Sequence, residues 1–260
     1  MADYILARKS RNIASSMVHI LLNLLLGIST VFFTVLSGNP AIGIILVLLS
    51  KWRIFAVRWR YFAISLKSNL VDLIVGISIV LLTYFSGSTI LPVDFILAGF
   101  YCVWLLIIKP MTSERANLVQ SVLAVFFGMS AITIATASLD SIVIVPLAFL
   151  IGYAASRHIL VQAKDKDYSL STLICGLVFA EIAWLSHSWS IIYTFGSTGI
   201  RIPQLALILT IFAFIYNYAR QAIVKYGSDF RFKHILAPVL FGIIMISIIV
   251  IGFSNPIFNI

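Results

Sequence analysis

Apolar residues run in long blocks broken by short polar punctuation, the pattern of a chain that lives in a bilayer. A helix needs about 20 apolar residues to cross a hydrocarbon core about 30 Å thick. On that measure nine spans are expected, at roughly 13–36, 40–55, 69–86, 91–108, 118–137, 141–160, 170–194, 202–220 and 235–254. The second is the shortest in apolar content, since its uninterrupted run goes only from Ala41 to Leu49. It crosses if Lys51 and Arg53 snorkel to the interface while Trp52, Ile54 and Phe55 stay in it. The expected fold class is an all-α polytopic bundle forming a single integral membrane domain over 1–260.

The connections are too short to fold by themselves. SGNP, SGST and the residues around Ser138–Asp140 are tight turns, and only TFGSTGIRI, from Thr194 to Ile202, is long enough to have shape. Function must therefore reside within the bundle or on its surfaces. NLVDLIVGIS at Asn69 and NLVQSVLAVF at Asn117 echo each other at the start of two spans, a weak hint of a repeated hairpin.

Composition agrees with the pattern. Of 260 residues 61% are hydrophobic and 10% charged, against roughly 45–50% and about 25% in soluble domains; the mean hydropathy is +1.08. A water-soluble enzyme or nucleic-acid-binding domain is excluded. The net charge of +9 marks topology, because its cations sit between spans. With nine spans and the N-terminus inside, Arg8, Lys9 and Arg11, then Lys51, Arg53, Arg58, Arg60 and Lys67, all face inward. So do Lys109 and Arg115, Arg157, Lys164 and Lys166, and Arg220, Lys225, Arg231 and Lys233. Of the 18 Lys and Arg residues only Arg201 then lies outside. The positive-inside rule thus favours nine spans, N-terminus in and C-terminus out. The basic N-terminus followed by a run to about Leu36 reads as an uncleaved signal anchor.

The inner segment 51–67 (KWRIFAVRWRYFAISLK) mixes cations with aromatics. Lys51, Arg53, Arg58, Trp59 and Arg60 are its candidate surface, either an interface anchor or a docking site for anionic lipid or a membrane-protein partner.

Ionisable residues inside spans are expensive, so each raises a functional question. Several sit where helix starts explain them. Asn69 with Asp72 spaces like a capping box, and Asn117 with Gln120 repeats the spacing. Asp94 follows Pro92, and Asp140 precedes the sixth span. Glu181 escapes that account: it lies eleven residues after Leu170, about 16 Å into its span. It is read either as a carboxyl tying helices together or as a proton- or substrate-coupling group. Asn23 has a similar depth, and Tyr153, Arg157 and His158 lie nearer the inner side. Cys102 and Cys175, within apolar spans, read as buried thiols.

No HExxH, DDxxD, Walker-type or GxSxG pattern occurs in the sequence, so no catalytic residue, metal site or cofactor is expected. The segments SKWRIFAVRWRYF, NLVDLIVG, IGYAASRHIL and GLVFAEIAWL resemble stretches of small uncharacterised polytopic membrane proteins of reduced-genome bacteria. That resemblance implies a bacterial cytoplasmic membrane and carries no activity. The leading expectation is a transporter or permease-like protein for a small solute or lipid, with Glu181 at its site. Alternatives are a non-catalytic subunit or scaffold docking through 51–67, and an enzyme for lipid-linked substrates built on Asp72, Arg157 and His158.

Overall fold

The computed structural model describes residues 2–252, apart from Ser88, Ser138, Lys164 and Ser190. Side chains are described over 17–251, those of Arg53, Trp59 and Ser197 also excepted. The chain folds as a helical bundle. Its helices are α1 (Ala2–Ser37), α2 (Pro40–Ser50), the single turn α3 (Trp52–Phe55), α4 (Trp59–Ser86), α5 (Pro92–Val103), α6 (Glu114–Ala135), α7 (Ser141–Gln162), α8 (Tyr168–Ser186), α9 (Gln204–Tyr226) and α10 (Lys233–Ser247). Two of them end in a π-helical turn, α5 through Trp104–Ile108 and α10 through Ile248–Gly252.

Among the described residues seven helices are long and apolar enough to cross a membrane: Met17–Ser37, Arg60–Ser86, Glu114–Ala135, Ser141–Gln162, Tyr168–Ser186, Gln204–Asp229 and Lys233–Ile251. Pro40–Ser50 and Pro92–Ile108 are apolar but shorter. The protein is an integral membrane protein of the α-helical class.

Element boundaries depart from the apolar runs at informative places. The second run yields only the 11 residues of α2, about 16 Å of helix, and the chain breaks at Lys51 instead of continuing to 55. The third run starts ten residues early. With no Gly or Pro between Trp59 and Asn69 to stop it, α4 takes in the second half of 51–67 as regular helix and ends at Gly87, whose φ of 133° suits glycine. The seventh run ends at Ser186, not 194. Its β-branched and aromatic tail Ile192–Thr194 (β1) pairs antiparallel with Arg201–Pro203 (β2), closed by Gly196 and Gly199 at φ 49° and 78°. This hairpin is an exception to the all-α expectation.

Two dry centres hold the bundle. One joins α6, α7, α8 and α9 through Val125, Met129, Ile144, Ile151, Phe179, Leu205 and Leu209. The other joins α1, α2, α4 and α5 through Val31, Val47, Val75, Ile79, Leu97 and Tyr101. Glycines let helices meet closely, as the small-residue spacing on α7 predicts. A Cβ on Gly152 would lie 2.6 Å from the Phe179 ring, and one on Gly76 would lie 2.7 Å from Val47.

Candidate functional site

Short helices create the site. α2 and α5 with its π turn are about 16 and 25 Å long at 1.5 Å per residue, less than the hydrocarbon thickness. The residue that ends each is a lysine, Lys51 and Lys109, whose backbone N–H groups close the last turns onto Leu48 O (2.9 Å) and Trp104 O (2.8 Å). Cations that a full-length helix would carry to the membrane surface are thus delivered at depth. α4 supplies their counter-ion from its middle: Asp72 lies 14 residues before Ser86, about 21 Å below the far end of the helix.

The three meet. Both Lys51 Nζ and Lys109 Nζ pair with Asp72 Oδ2, Lys109 at 2.7 Å, and Trp104 Nε1 donates to Asp72 Oδ1 at 3.0 Å. Trp104 is the first residue of the π turn, and the widened turn is part of what aims the indole at the carboxylate. The Lys51 side chain is 4% exposed and that of Lys109 is 43% exposed. A cleft of about 760 Å³ opens beside the cluster, lined also by His19, Asn23, Leu26, Ser50, Trp52 and Asn69. Its size lies within the range of small-molecule sites, roughly 300–1,000 Å³.

The capping readings are corrected here. Asn69 and Asp72 lie inside α4, ten and more residues past its start, so neither caps a helix; the Asn69 amide instead donates to Ser65 O at 2.8 Å. Asn117 and Gln120 likewise lie inside α6, which Ser113 caps. Asn117 binds Gln162, and the Gln120 amide donates to Ile108 O (2.6 Å) and Met111 O (3.0 Å), carbonyls freed where the π turn ends. Asp94 caps as expected, accepting from Leu91 N at 2.8 Å, and also from Ser86 Oγ at 2.9 Å. Asp140 stands before α7 with no side-chain cap bond.

Of the five residues expected near mid-membrane or on its inner side, Asn23 lines the cleft, whereas Glu181, Tyr153, Arg157 and His158 do not. Glu181 is exposed on α8, five residues before the helix ends, so it lies about 7 Å from that end. His158 Nε2 shares a 2.8 Å hydrogen bond with Gln120 Oε1, Arg157 sits over the Tyr168 ring at 5.8 Å, and Tyr153 stacks on Phe149. The structure therefore does not join Asp72 with Arg157 and His158. Lys51, expected on the 51–67 surface, is buried because Asp72 draws it in. Arg58 and Arg60 are exposed, Arg60 beside the Tyr61 ring, while the side chains of Arg53 and Trp59 lie outside the described residues.

Sequence reasoning passed over Lys109 and Trp104. The signal was available: Lys51 and Lys109 each close an apolar run too short to span. Among the described residues no group of three or more His, Cys, Asp or Glu side chains is placed to hold a metal ion. The class that fold and cluster define is a polytopic α-helical membrane protein with a charged cleft set into its bundle. No family model, curated protein or solved structure matches the chain.

Proposed function

We propose that this protein is a transporter or permease-like carrier for a small solute or lipid, with the cleft at Asp72 as its substrate site. One observation carries the reading: a carboxylate and two ammoniums meet at the wall of an open cleft where two short apolar helices end, a position this reading sets inside the membrane thickness. Charged side chains at such depth cost at least about 2.5–3.5 kcal/mol each on insertion scales and mark solute or ion pathways. In this reading the chain passes nine times through a bacterial cytoplasmic membrane, with α2 and α5 as incomplete crossings, the N-terminus inside and the C-terminus outside. The cleft then faces the cytoplasm, and the hairpin with Arg201 faces out. Asn23 belongs to the site. Glu181 takes no part in substrate binding and snorkels toward the outer headgroups.

Flux tests the proposal. Purified protein in proteoliposomes is expected to equilibrate a subset of a pooled solute and short-chain lipid mixture faster than empty vesicles, and Lys109→Gln to slow it at least about tenfold, the worth of one charge-assisted hydrogen bond. Equal leak in protein-containing and empty vesicles across the pool would sink it.

One observation favours a second reading. Trp52, Phe55, Tyr61 and Ile64 are 49–62% exposed beside Arg58 and Arg60, a rim suited to anionic lipid or to a partner subunit. Charge reversal at Arg58 and Arg60 is then expected to remove a co-purifying partner while leaving flux intact.

A further inference from the structure

The charges lining the cleft do not balance. Among the described residues Asp72 is the one carboxylate lining it, Lys51 and Lys109 supply two ammoniums, and His19 and Asn23 are polar groups on the α1 wall. The two cations are not equivalent. Lys51 is almost completely enclosed and spent on Asp72, whereas Lys109 leaves much of its side chain in the cleft. An ammonium has three N–H donors; Asp72 occupies one from Lys109, so two remain for a ligand. Asp72 in turn has three of its roughly four acceptor sites taken, Oδ2 by both ammoniums and one site of Oδ1 by the Trp104 indole. It holds the lysines in place and has little capacity left to attract a cationic substrate. The surplus positive charge among these groups, carried by the half-exposed Lys109, asks for a negative partner.

Part of the remaining wall is apolar, beside the neutral polar groups of Ser50, Ser65 and Asn69. Leu22, Leu26, Ile54 and the Trp52 ring line the same space. Leu22 and Trp52 are 56% and 61% exposed at the mouth between α1 and α3. A mouth edged by lipid-facing leucine and tryptophan opens toward the acyl layer as well as toward water. The volume greatly exceeds what an inorganic anion fills.

We infer that the cleft takes an amphipathic anion: an oxyanion group of phosphate type seated on Lys109, with its apolar body lying along α1 and α3 toward the bilayer. This rests on the cleft being the substrate site. The oxyanion is supplied either by an acidic phospholipid headgroup entering sideways or by a soluble alkyl phosphate entering from water.

Trp52 fluorescence reports the cleft, isolated as the difference between wild type and Trp52→Phe in nanodiscs. Two anionic probes separate the sources: phosphatidylglycerol titrated into phosphatidylcholine discs, and hexyl phosphate added to pure phosphatidylcholine discs. Hexanol is the neutral control. A saturable change with at least one anionic probe, absent with hexanol and weakened roughly tenfold or more in Lys109→Gln, is the expected result. Lys109 is half-exposed, so the variant is expected to keep its fold, verified by a cooperative melting transition without ligand. Asn23→Leu provides a second variant and narrows the cleft without altering its charge; weaker binding of both probes is expected. The inference falls if neither anion gives a saturable change, if hexanol matches them, or if Lys109→Gln binds as wild type does. Failure of the carrier reading looks different. Saturable anion binding with no flux of hexyl phosphate in proteoliposomes keeps the anion site and removes the carrier. Flux of cationic or neutral solutes only, slowed by Lys109→Gln but with no saturable anion binding, keeps the carrier and removes the anion site.

Discussion

Asp72 has three partners from two other segments, and removing it leaves two ammoniums facing each other without a counter-charge. Breaking a buried ion pair from one side costs about 3–5 kcal/mol, so Asp72→Asn is expected to lower stability by that order. Trp104→Phe keeps the packing and deletes one hydrogen bond to a carboxylate, a loss of about 1.5–3 kcal/mol. Reversible unfolding in mixed micelles checks both, and equal losses for the two variants would mean that the lysines contribute nothing beyond the indole. The double variant Lys51→Met with Asp72→Leu, which removes cation and anion together, is expected to recover part of the Asp72→Asn loss, since the buried pair is replaced by apolar contact.

At the scale of elements, the α7–α8 contact depends on the absence of a side chain at position 152, where the Phe179 ring sits. Gly152→Leu is expected to destabilise by about 1–3 kcal/mol or more, because the ring has no room to withdraw. Gly99 on α5 has nothing within 4 Å of a built Cβ, and Gly99→Ala is expected to be neutral or to gain up to about 1 kcal/mol from helix propensity. Melting curves of the pair decide whether close packing or glycine itself matters. Elements were also where sequence and structure parted. Apolar run length located each of the seven helices that, among the described residues, are long and apolar enough to cross, because hydrophobic matching to a bilayer is a local property. It misplaced the start of α4, because a basic, aromatic stretch continues a helix as readily as it lies flat at an interface. The Lys51–Asp72 pair spans 21 positions of chain, beyond the reach of any helical spacing rule, so Asp72 looked like a cap. Glu181 drew attention by its depth in an apolar run, but only the position of Ser186 as the helix end reveals that the run overstates that depth.

For the whole molecule, the nine-pass arrangement puts 17 of the 18 Lys and Arg residues on one side of the membrane, and that arrangement, with this side in the cytoplasm, is an expectation about orientation. Single cysteines at Ser37 and Ser228 are expected to label from opposite faces of sealed spheroplasts, Ser37 from outside and Ser228 only after permeabilisation. Labelling of both from one face would overturn the orientation and with it the direction in which the cleft opens.

The shortness of α2 has an electrical consequence. Where a water-filled cleft reaches down to Lys51, the conducting cytoplasmic phase extends with it, and the insulating layer thins to the remaining roughly 16–21 Å of helix. The transmembrane voltage then falls across that layer rather than over the full thickness of the bilayer. An anion docking at Lys109 from the cytoplasm has crossed little of the potential, whereas one leaving outward crosses nearly all of it. In a cell negative inside, that second step is driven by about 2.3 kcal/mol per charge for every 100 mV. Binding is therefore expected to be insensitive to voltage and outward flux to rise with it. Potassium–valinomycin diffusion potentials across the proteoliposomes measure the two separately.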